Sequence, residues 1–262
     1  RERLKRLRGE IEPKAPAVPM ETAPGQRSEF DGSPYTLADG LTVQTWRHTL
    51  CWSRGMHLAG ANNTRQTTIL TMLRLGFERW NGVPRECVTD SMPGVVDRWE
   101  CDIPVLNARY VDFAAHYGYT AIIAPRRCPK AKPHVERGFW YHERNLLNAR
   151  TITSFEQYRE LLDWWQREKA MRRPHPKTKR PIQEMFEEEQ AHLLSLPGKP
   201  YDTRDVYVRL VSATGHVHHE TNQYPVPDGH IGERVYVCVS LERVEIVGTR
   251  AQRLAEQERL AD

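Results

Sequence analysis

The sequence predicts an α/β chain: a mixed sheet with flanking helices, then a helical linker and a small all-β barrel. Three observations predict it. Apolar periodicities between residues 28 and 147 run strand, strand, strand, helix, strand, helix, strand, helix. A proline-rich basic stretch at 174–181 interrupts helix, and from Tyr201 onward short β-branched runs alternate with Gly, Asn and Asp. With 262 residues, of which 39% are hydrophobic, the chain can bury one medium core and a second small one.

Residues 1–8 read as the basic end of a helix, and Pro13, Pro16, Pro19 and Pro24 then forbid regular structure. Ser28 to Tyr35, Leu41 to Trp52 and Met56 to Ala61 are β-branched and aromatic, which predicts an antiparallel meander. From Thr64 to Trp80 the apolar residues Ile69, Leu73, Phe77 and Trp80 recur at helical spacing. Arg85 to Asp90 reads as a brief strand, Asn107 to Tyr117 as a helix stopped by Gly118, and Tyr119 to Ala124 as a strand. Pro133 then opens a helix to Leu147. This order is that of the ribonuclease H-like fold. Thr153-Ser-Phe-Glu156 has capping-box spacing, Pro181 opens another helix, and the last dozen residues read as a charged, solvated helix. The expected division is 1–24 for the end of an N-terminal region and linker, 25–150 for the core, 151–200 for a basic linker, 201–248 for the barrel and 249–262 for a helical tail.

The net charge of +4 decides little, whereas its clustering does. Arg126, Arg127, Lys130, Lys132 and Arg137 crowd one segment; Arg167, Lys169, Arg172, Arg173, Lys177, Lys179 and Arg180 crowd another, followed by the acidic run Glu184, Glu187, Glu188 and Glu189. Such blocks read either as phosphate-contacting surfaces or as solvated faces. No run approaches about 18 consecutive apolar residues. The five cysteines form no C-x-x-C pair, which argues against a disulfide framework and a structural zinc site. A cytoplasmic location follows as the expectation.

Three acidic residues fall where chemistry can converge. Asp31 lies in the first strand, Asp90 ends the fourth, and Glu136 sits in the first turn of the helix from Pro133. In the predicted topology the first and fourth strands are central neighbours, and that helix crosses their ends. Three carboxylates repel one another unless cations sit among them, and oxygen ligands suit Mg2+ or Mn2+. Two such ions about 4 Å apart activate water and stabilise the leaving oxygen of a phosphodiester.

Glu21 to Asp31, Gly82 to Asp90, Val96-Asp-Arg-Trp-Glu-Cys101, Pro104 to Gly118, Val135-Glu-Arg137 and Asn222-Gln-Tyr-Pro-Val-Pro227 together resemble the IstA-type insertion-sequence transposases, members of the DDE superfamily. The resemblance implies Asp31, Asp90 and Glu136 as catalytic metal ligands. It also implies transposon-end and target DNA as substrates, action as an oligomer on paired ends, an IstB-type AAA+ ATPase partner, and a bacterial cytoplasm in which the DNA-bound protein is nucleoid-associated. The chain departs from the family pattern at Ser91 and at Lys132-Pro133-His134. A catalytically weakened DNA-binding relative is the alternative, and a nuclease that does not join ends is a weaker one. His216, His218 and His219 read as polar strand residues in preference to metal ligands, and the tryptophans as core and interface anchors in preference to base-stacking platforms.

Overall fold

The computed structural model describes residues 22–38, 40–125, 132–148 and 150–259. Arg126, Arg127 and Lys130, the basic residues 1–8 and the last three residues lie outside the described residues. No described helix is long and apolar enough to cross a membrane.

The larger sheet begins with the expected meander. Strands β1 (Arg27–Thr36), β2 (Thr42–Leu50) and β3 (Met56–Ala61) pair antiparallel. After helix α1 (Gln66–Trp80), β4 (Glu86–Thr89) adds parallel to the other side of β1. A hairpin of β5 (Val96–Glu100) and β6 (Ile103–Leu106) and helix α2 (Ala108–Tyr117) precede β7 (Thr120–Ile123), which pairs parallel with β4. The resulting order, β3-β2-β1-β4-β7, puts β1 and β4 at the centre of a mixed sheet. The β5–β6 hairpin lacks the alternation that marks a strand. Its turn places Cys101 and Asp102 at positive φ, where Asn-Gly is the usual signal.

Strand period divides β1 between two environments. Phe30 stacks on Trp46 and meets His48 edge-on, and His48 in turn packs on Phe77 and Trp80 of α1. Phe77 continues into Phe113 and Tyr117 of α2. Glu29 and Asp31 point the other way, toward helix α3 (Pro133–His142), which runs on as a π-helical turn over Glu143–Leu147.

Helix α4 (Phe155–Trp165) starts one residue later than the Thr153–Glu156 spacing implies: the cap is Ser154, whose hydroxyl accepts from the Gln157 N–H at 3.1 Å, while the Gln157 side chain accepts from the Thr153 N–H at 2.8 Å. It continues through a π-helical turn, Gln166–Ala170, and α5 (Ile182–Gln190) follows the basic stretch. These helices share the main hydrophobic cluster: Tyr158, Leu162, Trp165, Ile182 and Phe186 pack with the sheet residues. The buried Gln166 amide accepts from the Leu58 N–H at 3.1 Å and donates to the Leu58 carbonyl at 3.3 Å, pairing with edge strand β3. Glu189 departs from the solvated acidic face expected of its neighbours. It is buried and accepts from the N–H groups of Gly25 at 2.9 Å and Ser53 at 3.0 Å.

The C-terminal strands correct two expectations. β8 (Asp205–Leu210), β11 (Arg234–Val239), β12 (Arg243–Gly248) and β13 (Arg253–Glu258) form an open antiparallel sheet, β13-β12-β11-β8. β9 (His216–His219) and β10 (Asn222–Pro225) pair separately, so no closed barrel is found among the described residues. Val217, Tyr224, Val235, Val237 and Ile246 fill a small core of their own. The expected helical tail is instead partly β13: Arg253-Leu-Ala-Glu-Gln-Glu258 has helical propensity, but pairing with β12 and the Arg243–Glu256 ion pair at 2.7 Å override it.

Candidate active site

Parallel pairing of Glu29 with Val88 is the last register pair between β1 and β4, and two residues beyond it stand Asp31, still in β1, and Asp90, just past the end of β4. The sheet therefore brings the two aspartates side by side, as the strand order predicts. Between them lies Lys132, whose Nζ is 2.8 Å from Asp31 Oδ2 and 2.7 Å from Asp90 Oδ2. The Lys132 side chain is only 3% exposed and that of Asp90 52%, so the ammonium is shut off from solvent while the Asp90 carboxylate faces it. Asp31 is fixed further by the Gly32 N–H, which donates to Oδ1 at 2.9 Å. Burial raises the Asp31 carboxyl above its ordinary pKa, and the Lys132 charge works against that rise.

Lys132 was expected on a phosphate-contacting surface, and the structure places it inside instead. Arg137 is exposed, next to Glu136. Of the second basic cluster, Arg172 pairs with Glu168 at 2.7 Å and Arg180 with Glu188 at 2.9 Å. The Arg173 guanidinium lies 4.3 Å from the centre of the Tyr141 ring, Lys179 donates to the Pro176 carbonyl at 2.8 Å, and Lys177 is exposed. The cluster is thus interlaced with acids and an aromatic ring and is not a bare positive face.

Glu136 occupies the first turn of α3 and is exposed; its N–H donates to the Lys132 carbonyl at 3.3 Å. The first-turn N–H groups of that helix have no cap from its own Lys132 side chain. They are capped from β1: Glu29 Oε2 accepts from the N–H groups of His134 and Val135, both at 2.7 Å. Cys51 Sγ donates to Glu29 Oε1 at 3.6 Å, and one ligand atom from each of buried Glu29, buried Cys51 and half-buried His134 lies within 4.8 Å of the others, a spacing that could hold a metal ion. Burial raises the Glu29 carboxyl, and burial with nearby Arg54 pushes His134 down to about 3, so that imidazole is neutral. Sequence reasoning passed over Glu29, although strand alternation puts it on the Asp31 side of β1. Gly138 completes the contact: a Cβ there would lie 2.1 Å from Arg47 Nε, so α3 rests directly on the buried guanidinium.

The histidines of β9 form no metal-ligand group among the described residues. His219 is buried against the Tyr207 ring and His218 is exposed. Asp31 and Asp90, already converging on one cation, are a further pair that could hold a metal.

Residues 196–262 match the family model of the Mu transposase, C-terminal domain. The chain is 26% identical over 224 residues to a putative transposase of insertion sequence element IS5376 from Geobacillus stearothermophilus, covering 84% of this chain and 56% of that protein. It is 25% identical over 236 residues to the IS21 transposase of Pseudomonas aeruginosa, covering 88% and 60%. The chain thus spans little more than half the length of these relatives. Among solved structures, the magnesium-bound catalytic core domain of HTLV-2 integrase, in its dimeric form, aligns with a TM-score of 0.45 at 11% identity over 62% of this chain and 97% of that one. A simian T-cell lymphotropic virus intasome chain aligns at 0.47 and 10% identity over 92% and 81%. Over most of its length the chain is thus similar in sequence to transposases of insertion sequences.

Proposed function

We propose that the chain is the catalytic and C-terminal part of a DNA transposase that cuts and joins DNA ends, with Asp31, Asp90 and Glu136 as its metal-binding carboxylates. The observation that carries this reading is the convergence of Asp31 and Asp90, from two central strands, on a single positive charge. A pair of carboxylates that holds an ammonium at 2.8 and 2.7 Å fits a small hard cation of the Mg2+ or Mn2+ type. When bound, one or two such ions supply an activated water and charge stabilisation at the leaving oxygen.

The chain's own residues do the rest. Gly32 and β1 hold Asp31 in place, Glu29 fixes the start of the helix that carries Glu136, and Lys132 gives up its place between the aspartates. Arg137, exposed beside Glu136, is placed to meet a phosphate, and Arg172, Lys177, Lys179 and Arg180 offer a second contact line once their acidic partners yield. Joining two ends needs at least two copies, and an IstB-type ATPase belongs to the same reading by family resemblance.

One observation favours a second reading: a lysine that stays between the aspartates would make the chain a DNA-binding relative with weakened chemistry. Both readings are tested by one assay, strand cleavage and transfer by the full-length protein on labelled end DNA with Mg2+. Activity that disappears in Asp31→Asn, Asp90→Asn and Glu136→Gln, with DNA binding kept, supports the transposase. DNA binding without cleavage at any Mg2+ concentration supports the weakened relative.

A further inference from the structure

On the reading of α3 as the helix of the active site, we propose that Trp140 is a stacking platform for a nucleobase next to the phosphodiester that the carboxylates act on. Trp46, Trp80 and Trp165 are buried, as core anchors should be, but Trp140 is 56% exposed. It does not hold the helix down: the inner face of α3 is made by Val135, Gly138 and His142, all buried. Trp140 stands four positions after Glu136, so both lie on one exposed face, one turn apart.

The surroundings point to a nucleic acid in preference to an apolar protein partner. The Arg144 guanidinium lies 4.2 Å from the centre of the Trp140 ring, and Arg137 is exposed on the turn before it. An exposed indole with one cation against its ring and a second on the same helix matches the chemistry of a base flanked by phosphates, since stacking needs a π-face and the backbone needs positive charge. Four helical residues rise about 6 Å. Two steps of one DNA strand rise about 7 Å. The base that Trp140 meets is therefore within about two nucleotides of the phosphate held near Glu136.

The test uses the full-length protein and end duplexes carrying 2-aminopurine, or an abasic site, at each of the three positions nearest the scissile phosphate. Stacking predicts quenched 2-aminopurine fluorescence at one position and a loss of affinity of about 5- to 150-fold in Trp140→Ala, the equivalent of about 1–3 kcal/mol per stacked base. Trp140→Phe should recover most of it. An abasic site at the quenched position should weaken the unmodified protein and leave Trp140→Ala unchanged, so that the two losses do not add. The proposal is overturned if Trp140→Ala binds and quenches like the unmodified protein, if the losses add, or if the substitution changes the oligomeric state without DNA, which would make Trp140 a protein contact. Asp31→Asn run in parallel separates the two claims: quenching that persists while cleavage also persists removes the active-site reading and not the stacking.

Discussion

The carboxylate of Glu29 accepts the main-chain N–H of Val135 at 2.7 Å, which ties the strand bearing Asp31 to the helix bearing Glu136. The same oxygen accepts from His134, so two orphan donors of a helix start depend on one buried side chain. Replacing Glu29 by Leu should destabilise the fold by about 1–3 kcal/mol, the cost of leaving buried donors unpaired. Glu29→Gln keeps an acceptor and should lose less. Urea unfolding, with hydrogen exchange at residues 133–137, measures both; equal stability of the Leu variant and the unmodified protein would contradict the capping role.

Lys132 competes for the same two carboxylates that a divalent cation would need. Lys132→Met should weaken the metal-free fold by about 3 kcal/mol, the low end for breaking a buried pair, because Asp90 is partly solvated. It should also bind Mg2+ more tightly, by about tenfold or ~1.4 kcal/mol. Calorimetric titration of both proteins with Mg2+ decides: an affinity unchanged or weakened in the variant would mean that the lysine does not stand in the way.

Two effects of opposite sign meet at Gly138. Alanine favours helix over glycine by about 1 kcal/mol. Its Cβ would, however, fall 2.1 Å from Nε and 2.3 Å from Cζ of Arg47. Arg47 is buried and bonded to Thr49 Oγ1 at 3.0 Å, so it has nowhere to go. The clash should win, with Gly138→Ala less stable by about 1–3 kcal/mol. A thermal midpoint equal to or above that of the unmodified protein would show that α3 does not rest on Arg47.

His142 is buried against Tyr35 and Trp165, neither ring nitrogen has a partner among the described residues, and burial with Arg47 nearby pushes it down to about 3. Unfolded, it titrates near 6.5. Between these values the unfolded chain binds the extra proton, so the histidine's contribution is intact above about pH 6.5 and is lost as pH falls toward 3. Glu29 and Glu189, raised by burial, act with the opposite sign, so the clean comparison is with His142→Phe. Relative to that variant, the protein should lose about 1.4 kcal/mol per pH unit from pH 6 to 4.5. Parallel stability curves for the two would refute it.

The sheet and its helices were legible because their signals are local: four apolar residues at helical spacing in α1 and β-branched alternation in β1 to β3, with the cap of α4 read one residue early, at Thr153 instead of Ser154. The side-by-side aspartates followed from strand order alone. Less was legible wherever a partner distant in sequence decides. Glu29 looks like one more charged residue until α3 is laid across β1, and Lys132 looks like a phosphate contact until two aspartates enclose it. β13 carries the composition of a helix and becomes a strand only because β12 offers it a ladder. The open C-terminal sheet shares its strand texture with a barrel, since closure depends on which edges pair and not on any residue within a strand.

The bond from Gln166 to the peptide group of Leu58 bears on how molecules meet as well as on how one folds. An uncovered outer strand is a template on which the sheets of separate chains can extend into a continuous ladder. By occupying both the donor and the acceptor of Leu58, one side-chain amide blocks that growth at β3. Copies of this chain that meet at the β3 edge therefore find its Leu58 peptide group already occupied and cannot extend one another's sheets there.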